Sequence, residues 1–226
     1  MAIFRFIQAG GFVMYPLLIL SLVAVVVIID RIMAYRLLGG LAPGLLDETI
    51  ALCKKGQFDQ AEKACAARPG PLAASLGIIL QHQKRAVSEV ERMVEETGQE
   101  YFIRLEQRLT ILDTTTTISP LLGLLGTIVG MIGTFNAIAS QQGRGNTDSI
   151  LSGVGEALYA TATGISIAVI CFIAYNYFAA RLTAITSETA QAATKLLNVL
   201  TDIRHQAPGV RQSDDFVREE VKLHGV

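Results

Sequence analysis

Charged side chains leave three long gaps in this chain. Residues 6–29, 114–143 and 157–180 run for 24, 30 and 24 positions without Asp, Glu, Lys or Arg. A helix rises 1.5 Å per residue and the hydrocarbon core of a bilayer is about 30 Å thick, so roughly 20 apolar residues suffice to cross it. The pattern therefore predicts three spanning helices. The polar stretch between the first two gaps reads as helical. Leu45, Ile50 and Leu52 precede a turn at Gly56-Gln57-Phe58-Asp59, and an Ala/Glu/Lys-rich helix follows. Arg68-Pro69-Gly70-Pro71 ends it, because Pro removes a backbone donor and Gly frees the chain to turn. These two short helices are expected to form a hairpin. From Ser88 onward Val90, Met93, Val94, Phe102, Leu105, Leu109 and Leu112 recur at helical spacing, with no breaker before Pro120. One long helix is expected to feed the second span. The third span is expected to continue past Arg181 through Ile185, Leu196, Leu197 and Leu200 until Pro208-Gly209, with a frayed charged end beyond. Ahead of the first gap, Ile3, Phe4, Phe6 and Ile7 around Arg5 and Gln8 suit a short segment lying flat in the interface. No strand alternation or internal repeat is visible.

The fold class expected is all-α, a three-span integral membrane protein with long helices extending into the cytoplasm. Its divisions are 1–30 (interfacial segment and first span), 31–113 (cytoplasmic helical loop), 114–143 (second span and start of a short outer loop), 144–180 (rest of that loop and third span) and 181–226 (C-terminal helix and tail). Composition agrees: 51% of residues are hydrophobic and 17% charged, against about 25% charged in ordinary soluble domains. Net charge is -1, so no global basic field exists and nucleic acid is excluded as the principal partner. Basic residues set the orientation. Seventeen of the 19 fall in the large loop and the C-terminal tail, whereas only Arg5 and Arg144 fall on the other side. Near the span ends, Arg31, Arg36, Arg104, Arg108 and Arg181 carry the same bias, so the N-terminus is expected outside and the C-terminus in the cytoplasm. The first gap is too long for a signal peptide and lacks a small-residue cleavage site. Cys53, Cys65 and Cys171 form no CxxC, and His82, His205 and His224 are dispersed, so neither a disulfide framework nor a metal site is indicated. No catalytic triad or phosphate loop is visible either, and neither an enzyme nor a cofactor is expected.

The chemistry lies in the second and third gaps. Gly123, Gly126, Gly130 and Gly133 fall within about 80° of one another at ~100° per residue, leaving one helix face bare. Such a face lets helices approach closely in a membrane, and Gly126-x-x-x-Gly130 has the small-xxx-small spacing. Thr127 and Thr134 put hydroxyls beside this stripe, either as polar lining or bonded back to their own helix. Thr114 to Thr117 and Ser119 add five more near the cytoplasmic end. Ala160, Gly164 and Ala168 form a second small ridge at i, i+4, i+8. These two faces are expected to build a homo-oligomer. Glu156 stands directly before the third charge-free run, and its helix is expected to begin a turn or so earlier. A charge near the centre of a span costs about 2.5–3.5 kcal/mol on insertion scales, and such residues usually face a bundle interior or a water cavity. Thr163 shares its face. The alternative is a Glu that snorkels to the outer surface.

Residues 119–132, Ser-Pro-Leu-Leu-Gly-Leu-Leu-Gly-Thr-Ile-Val-Gly-Met-Ile, with Phe135, and residues 155–164, Gly-Glu-Ala-Leu-Tyr-Ala-Thr-Ala-Thr-Gly, with Tyr175-Asn176, resemble the MotA/TolQ/ExbB proton-channel family, in particular its ExbB and TolQ members. The resemblance covers essentially the whole chain, including Gly56-Gln57-Phe58 and Pro69-Gly70-Pro71. It implies a homopentamer of three-span subunits in the inner membrane, surrounded by lipid and enclosing single-span helices of an ExbD or TolR partner. It also implies proton flow that drives TonB or TolA across the periplasm. By position, Glu156, Thr127 and Thr161 match the family's functional polar residues. One departure is visible: where members often carry Pro in an Ala-Ile-Pro segment, this chain has Ala168-Val169-Ile170. A single carboxylate near the outer face cannot relay protons across about 30 Å of hydrocarbon, which gives an independent reason for a partner. A flagellar stator of MotA type has four spans and fits less well. The residues alone leave open ExbB against TolQ, proton against sodium, and a passive membrane scaffold in which Glu156 is structural.

Overall fold

The computed structural model describes residues 11–37, 44–140 and 147–206. Among them are seven helices and no strand: α1 (Met14–Leu37), α2 (Leu45–Lys54), α3 (Phe58–Ala66), α4 (Pro71–Gln81), α5 (Val87–Glu106), α6 (Leu109–Ser140) and α7 (Thr147–Gln206). Three helical stretches are long and apolar enough to cross a membrane: Met14–Leu37, Val87–Asn136 and Ile150–His205. The interfacial segment expected around Arg5, the outer loop with Arg144, and the stop at Pro208-Gly209 with its frayed end lie outside the described residues.

Three details differ from the expectations. The helix from Ser88 is not continuous, since α5 closes at Glu106, Gln107 and Arg108 form a turn, and α6 opens at Leu109. Neither turn residue is a breaker. The break is supported from another helix, where the buried Arg31 guanidinium donates from Nη1 to the Leu105 carbonyl at 2.9 Å. That carbonyl is among the last four of α5, which have no partner within their own helix. The expected two-helix hairpin is present as α2 and α3, but the polar loop holds a third short helix beyond it. Pro71 opens the third, α4, at a position where its missing N–H costs nothing, and Ala74 N–H closes the turn on Gly70 O at 3.1 Å. α1 also runs seven residues past position 30, to Leu37. As expected, α7 passes Arg181 without interruption, and its 60 residues make about 90 Å of helix.

The chain divides into two compact units. One comprises the described residues up to Met33 with Leu105–Arg181, and the other Ala34–Arg104 with the described residues from Leu182 onward. In the first, α1, α6 and α7 pack together. Leu109, Leu112, Thr115, Ser119, Gly123 and Gly126 form one buried stripe of α6 at spacings of three and four, which the half-buried Gly130 continues to the buried Thr134. Ala157, Ala160, Gly164, Ala168 and Cys171 do the same on α7. Leu121, Leu125, Ile132, Phe135, Ile165, Phe172 and Ile173 point outward and are exposed. In water a continuous apolar surface of this kind would drive association, whereas in a bilayer it is the face offered to lipid or to other subunits.

In the second unit α2, α3 and α4 pack with the start of α5 and the far part of α7. Leu45, Ala61, Leu76, Ile79, Val90 and Leu196 form its core together with Cys53 and Cys65. Thr49 Oγ1 lies 3.6 Å from Cys65 Sγ, and burial pushes the Cys53 thiol up to about 11. The surrounding ion pairs, Arg68 to Glu48 and Arg85 to Glu89, each 3.1 Å, are exposed and contribute about 0–1 kcal/mol apiece. Apolar burial carries this unit.

Candidate functional site

The second and third spans meet along a seam from which side chains are nearly absent. A methyl group built on Gly123 would lie 3.0 Å from Thr161 Cα and 3.1 Å from the Ala160 carbonyl. One on Gly126 would lie 2.5 Å from Ala160 Cβ, and one on Gly130 would lie 3.1 Å from Ala157 Cβ and 3.3 Å from the Gly153 carbonyl. From the other side, a methyl on Gly164 would lie 2.5 Å from the Ser119 carbonyl and 3.1 Å from Gly123 Cα. The positions pair with rising number on α6 and falling number on α7, so the helices are antiparallel. Their backbones approach closely because neither presents a side chain. Ala168 is buried further along the same ridge of α7. Gly133 stands apart, with nothing within 4 Å of its methyl position.

This arrangement corrects one expectation. The glycine stripe and the Ala160/Gly164/Ala168 ridge were expected to build the homo-oligomer, yet the stripe's Gly123, Gly126 and Gly130 meet the ridge within a single chain. The physical reason is complementarity: two bare faces on consecutive helices satisfy one another first.

The hydroxyls around the seam are largely committed to backbone carbonyls. Thr127 donates to Leu124 O at 2.7 Å, Thr134 to Gly130 O at 2.9 Å and Thr163 to Tyr159 O at 2.8 Å, all within their own helices. Thr114, Thr115, Thr116 and Thr117 likewise each bond the carbonyl four residues back. Thr161 differs, since its hydroxyl crosses the seam to Gly123 O at 2.9 Å. A hydroxyl that donates to a carbonyl keeps its lone pairs, so each can still accept a hydrogen bond from water, a protonated acid or a hydrated cation. Ser119 is buried, and its Oγ has no hydrogen-bond partner among the described residues.

Glu156 lies nine residues into α7 from Thr147, about two and a half turns, which is deeper than expected. It is half-buried and carries no hydrogen bond or ion pair among the described residues. Across residues 114–140 and 150–180 it is the only charged residue. Its neighbour Ala157 packs on Gly130, and Thr134 packs on Gly153, one turn before Glu156. Thr163 shares its face but stands two turns away, about 10 Å along the axis, so the pair is not in direct contact. On the remaining side the carboxylate rests on Gly11, immediately ahead of α1. All three long helices thus converge around one acid. The part played by α1 was not read from the sequence, although the Gly10-Gly11 pair before an apolar run was a visible cue.

Residues 70–191 match the MotA/TolQ/ExbB proton channel family, and that segment contains the whole α6–α7 seam and Glu156. The chain belongs to this family. Among proteins of known name, the biopolymer transport protein exbB1 of Vibrio cholerae is 30% identical over 168 residues, covering 72% of each chain. The ExbB-like 1 protein of Synechocystis is 29% identical over 169 residues, 74% of this chain and 66% of that protein, which is just short of two thirds of its length. The Tol-Pal system protein TolQ of Pseudomonas aeruginosa is 40% identical, but over 78 residues, or 34% of this chain. For a member of a proton channel family, a carboxylate among three apolar helices with no partner among the described residues is the group on which attention falls.

Proposed function

We propose that this chain is the ExbB-like subunit of an inner-membrane proton channel. It assembles as a homopentamer with an ExbD-type single-span partner and uses the proton motive force to energise TonB-dependent outer-membrane transport. Its N-terminus faces the periplasm and its large loop and C-terminus the cytoplasm. The observation that carries this reading is Glu156: half-buried in apolar helices, unpaired among the described residues, and held where α1, α6 and α7 converge. An acid in that setting can take up and release a proton without first breaking an ion pair. The hydroxyls of Thr127, Thr134, Thr161 and Thr163 line the surroundings as acceptors, and a partner's carboxylate completes the relay across the membrane. Three ExbB-type relatives align over 72–76% of the chain, where the TolQ matches cover 34–37%, which supports the TonB system over Tol-Pal. The TolQ alternative rests on two shorter, more identical stretches, 40% over 78 residues and 34% over 84.

The test is Glu156→Gln in the chain co-expressed with its single-span partner. Gln keeps the shape and most hydrogen bonding but does not titrate. The complex should assemble normally and lose proton flux into vesicles, read with an internal pH dye. Wild-type flux in Glu156→Gln would overturn the reading, and flux that requires sodium would replace the ion. The partner that co-purifies, of ExbD or of TolR type, decides between the two systems.

A further inference from the structure

Gly11 holds a backbone conformation, φ +67°, that favours glycine, and it does so directly against the Glu156 carboxylate. A methyl group built on Gly11 would fall on top of Oε1, 2.7 Å from Cδ and 3.2 Å from Cγ of Glu156. No side chain other than hydrogen fits while Glu156 stays where it is. The wall behind Gly11 cannot readily retreat. Val13, Met14 and Leu17 are all buried, with 6%, 1% and 0% exposure, and Val13 lies 3.5 Å from the methyl position of Gly126 in the seam. The first turn of α1 closes with Met14 N–H on Gly11 O at 3.1 Å, which ties Gly11 to that packed turn.

We propose that Gly11 is a positioning residue for Glu156: the start of α1 is a stop against which the carboxylate rests, and the absence of a side chain there sets how far the acid reaches. The inference rests on the reading of Glu156 as the working acid and adds to it a role for the first span. The packed turn behind Gly11 bars the carboxyl group from moving toward α1. A side chain at position 11 forces the carboxyl group into a different resting place while leaving its chemistry intact.

The test is a size exchange in the full complex with its single-span partner. Gly11→Ala should lower proton flux about 10- to 100-fold, the scale on which a 1 Å misplacement of a reacting group acts. Glu156→Asp withdraws the carboxyl by one carbon–carbon bond, about 1.5 Å, and makes room for the methyl group. In the Glu156→Asp background, Gly11→Ala should therefore have little further effect. An equal loss in both backgrounds, or flux near wild type in Gly11→Ala alone, would overturn the proposal. Gly44→Ala, at φ +84° with open space around it, measures the cost of the backbone conformation alone. If Gly11→Ala does not assemble, assembly becomes the readout. Gly11→Ala combined with Glu156→Ala should then assemble as well as Glu156→Ala by itself, and failure of the double variant while Gly44→Ala assembles normally would refute the contact. This rescue does not depend on conduction, so it separates failure of the positioning role from failure of the channel reading, which Glu156→Gln tests.

Discussion

Gly164→Ala probes the seam most directly, because the methyl group it adds meets only backbone of the facing helix α6. It would lie 2.5 Å from the Ser119 carbonyl oxygen, 3.1 Å from Gly123 Cα and 3.2 Å from Gly123 N, where ordinary contact begins at 3.4 Å. The closest approach is thus almost an ångström too short, and no flexible side chain is available to give way. Helices α6 and α7 must part. Overpacking of this kind costs about 1–3 kcal/mol. Parting also stretches the 2.9 Å bond from Thr161 to Gly123 O, and interhelical bonds in membranes are worth about 0.6 kcal/mol on average and up to about 1.7. Against this, Ala is the better helix former by up to about 1 kcal/mol. The net expectation is a loss of about 1–3 kcal/mol, or a clear fall in the midpoint of thermal unfolding in detergent. Gly133→Ala is the matched control, since it adds the same methyl group to the neighbouring helix where nothing lies within 4 Å, and it should be neutral or slightly stabilising. If the two variants unfold at the same temperature, the close antiparallel seam is wrong.

Two further outcomes concern groups outside the seam. Arg31→Met keeps the aliphatic stem but leaves the Leu105 carbonyl without its donor and Asp30 without the 2.6 Å and 3.0 Å contacts of the guanidinium, so it should destabilise by about 1–3 kcal/mol. An unchanged unfolding midpoint would show that the break between α5 and α6 needs no such support. Burial raises the Cys53 thiol from 9.0 to about 11, so between those pH values the unfolded chain has released this proton while the folded chain retains it. Stability gained from Cys53 is therefore complete below pH 9 and is lost as pH rises toward about 11. Denaturant titrations at pH 8 and 10 should show that loss shrink in Cys53→Ala, and an identical pH dependence in the two proteins would count against it.

The relation between sequence and structure differs from element to element. The three spans were legible because the property that defines them, an absence of charge over 24 to 30 residues, is local and cumulative. The same holds for the long α7, where apolar positions continue at helical spacing and no breaker intervenes. Glu156 stood out for the converse reason: a charge at the edge of an apolar run is costly wherever the chain folds. What the sequence could not decide were pairings. A stripe of glycines states that something approaches closely but not whether it is a neighbouring subunit or the next helix of the same chain. The structure assigned it to α7, since Gly123, Gly126 and Gly130 find Thr161, Ala160 and Ala157 in matching register. The turn at Gln107-Arg108 was invisible for a similar reason, because both residues suit a helix and the donor to the Leu105 carbonyl at the break is Arg31, more than 70 positions away in the chain. The seat of Glu156 on Gly11 is a contact between residues 145 positions apart, made possible by an absent side chain. Local composition records what each helix is made of, whereas the meeting of two faces depends on both, and only the packed tertiary structure brings them together.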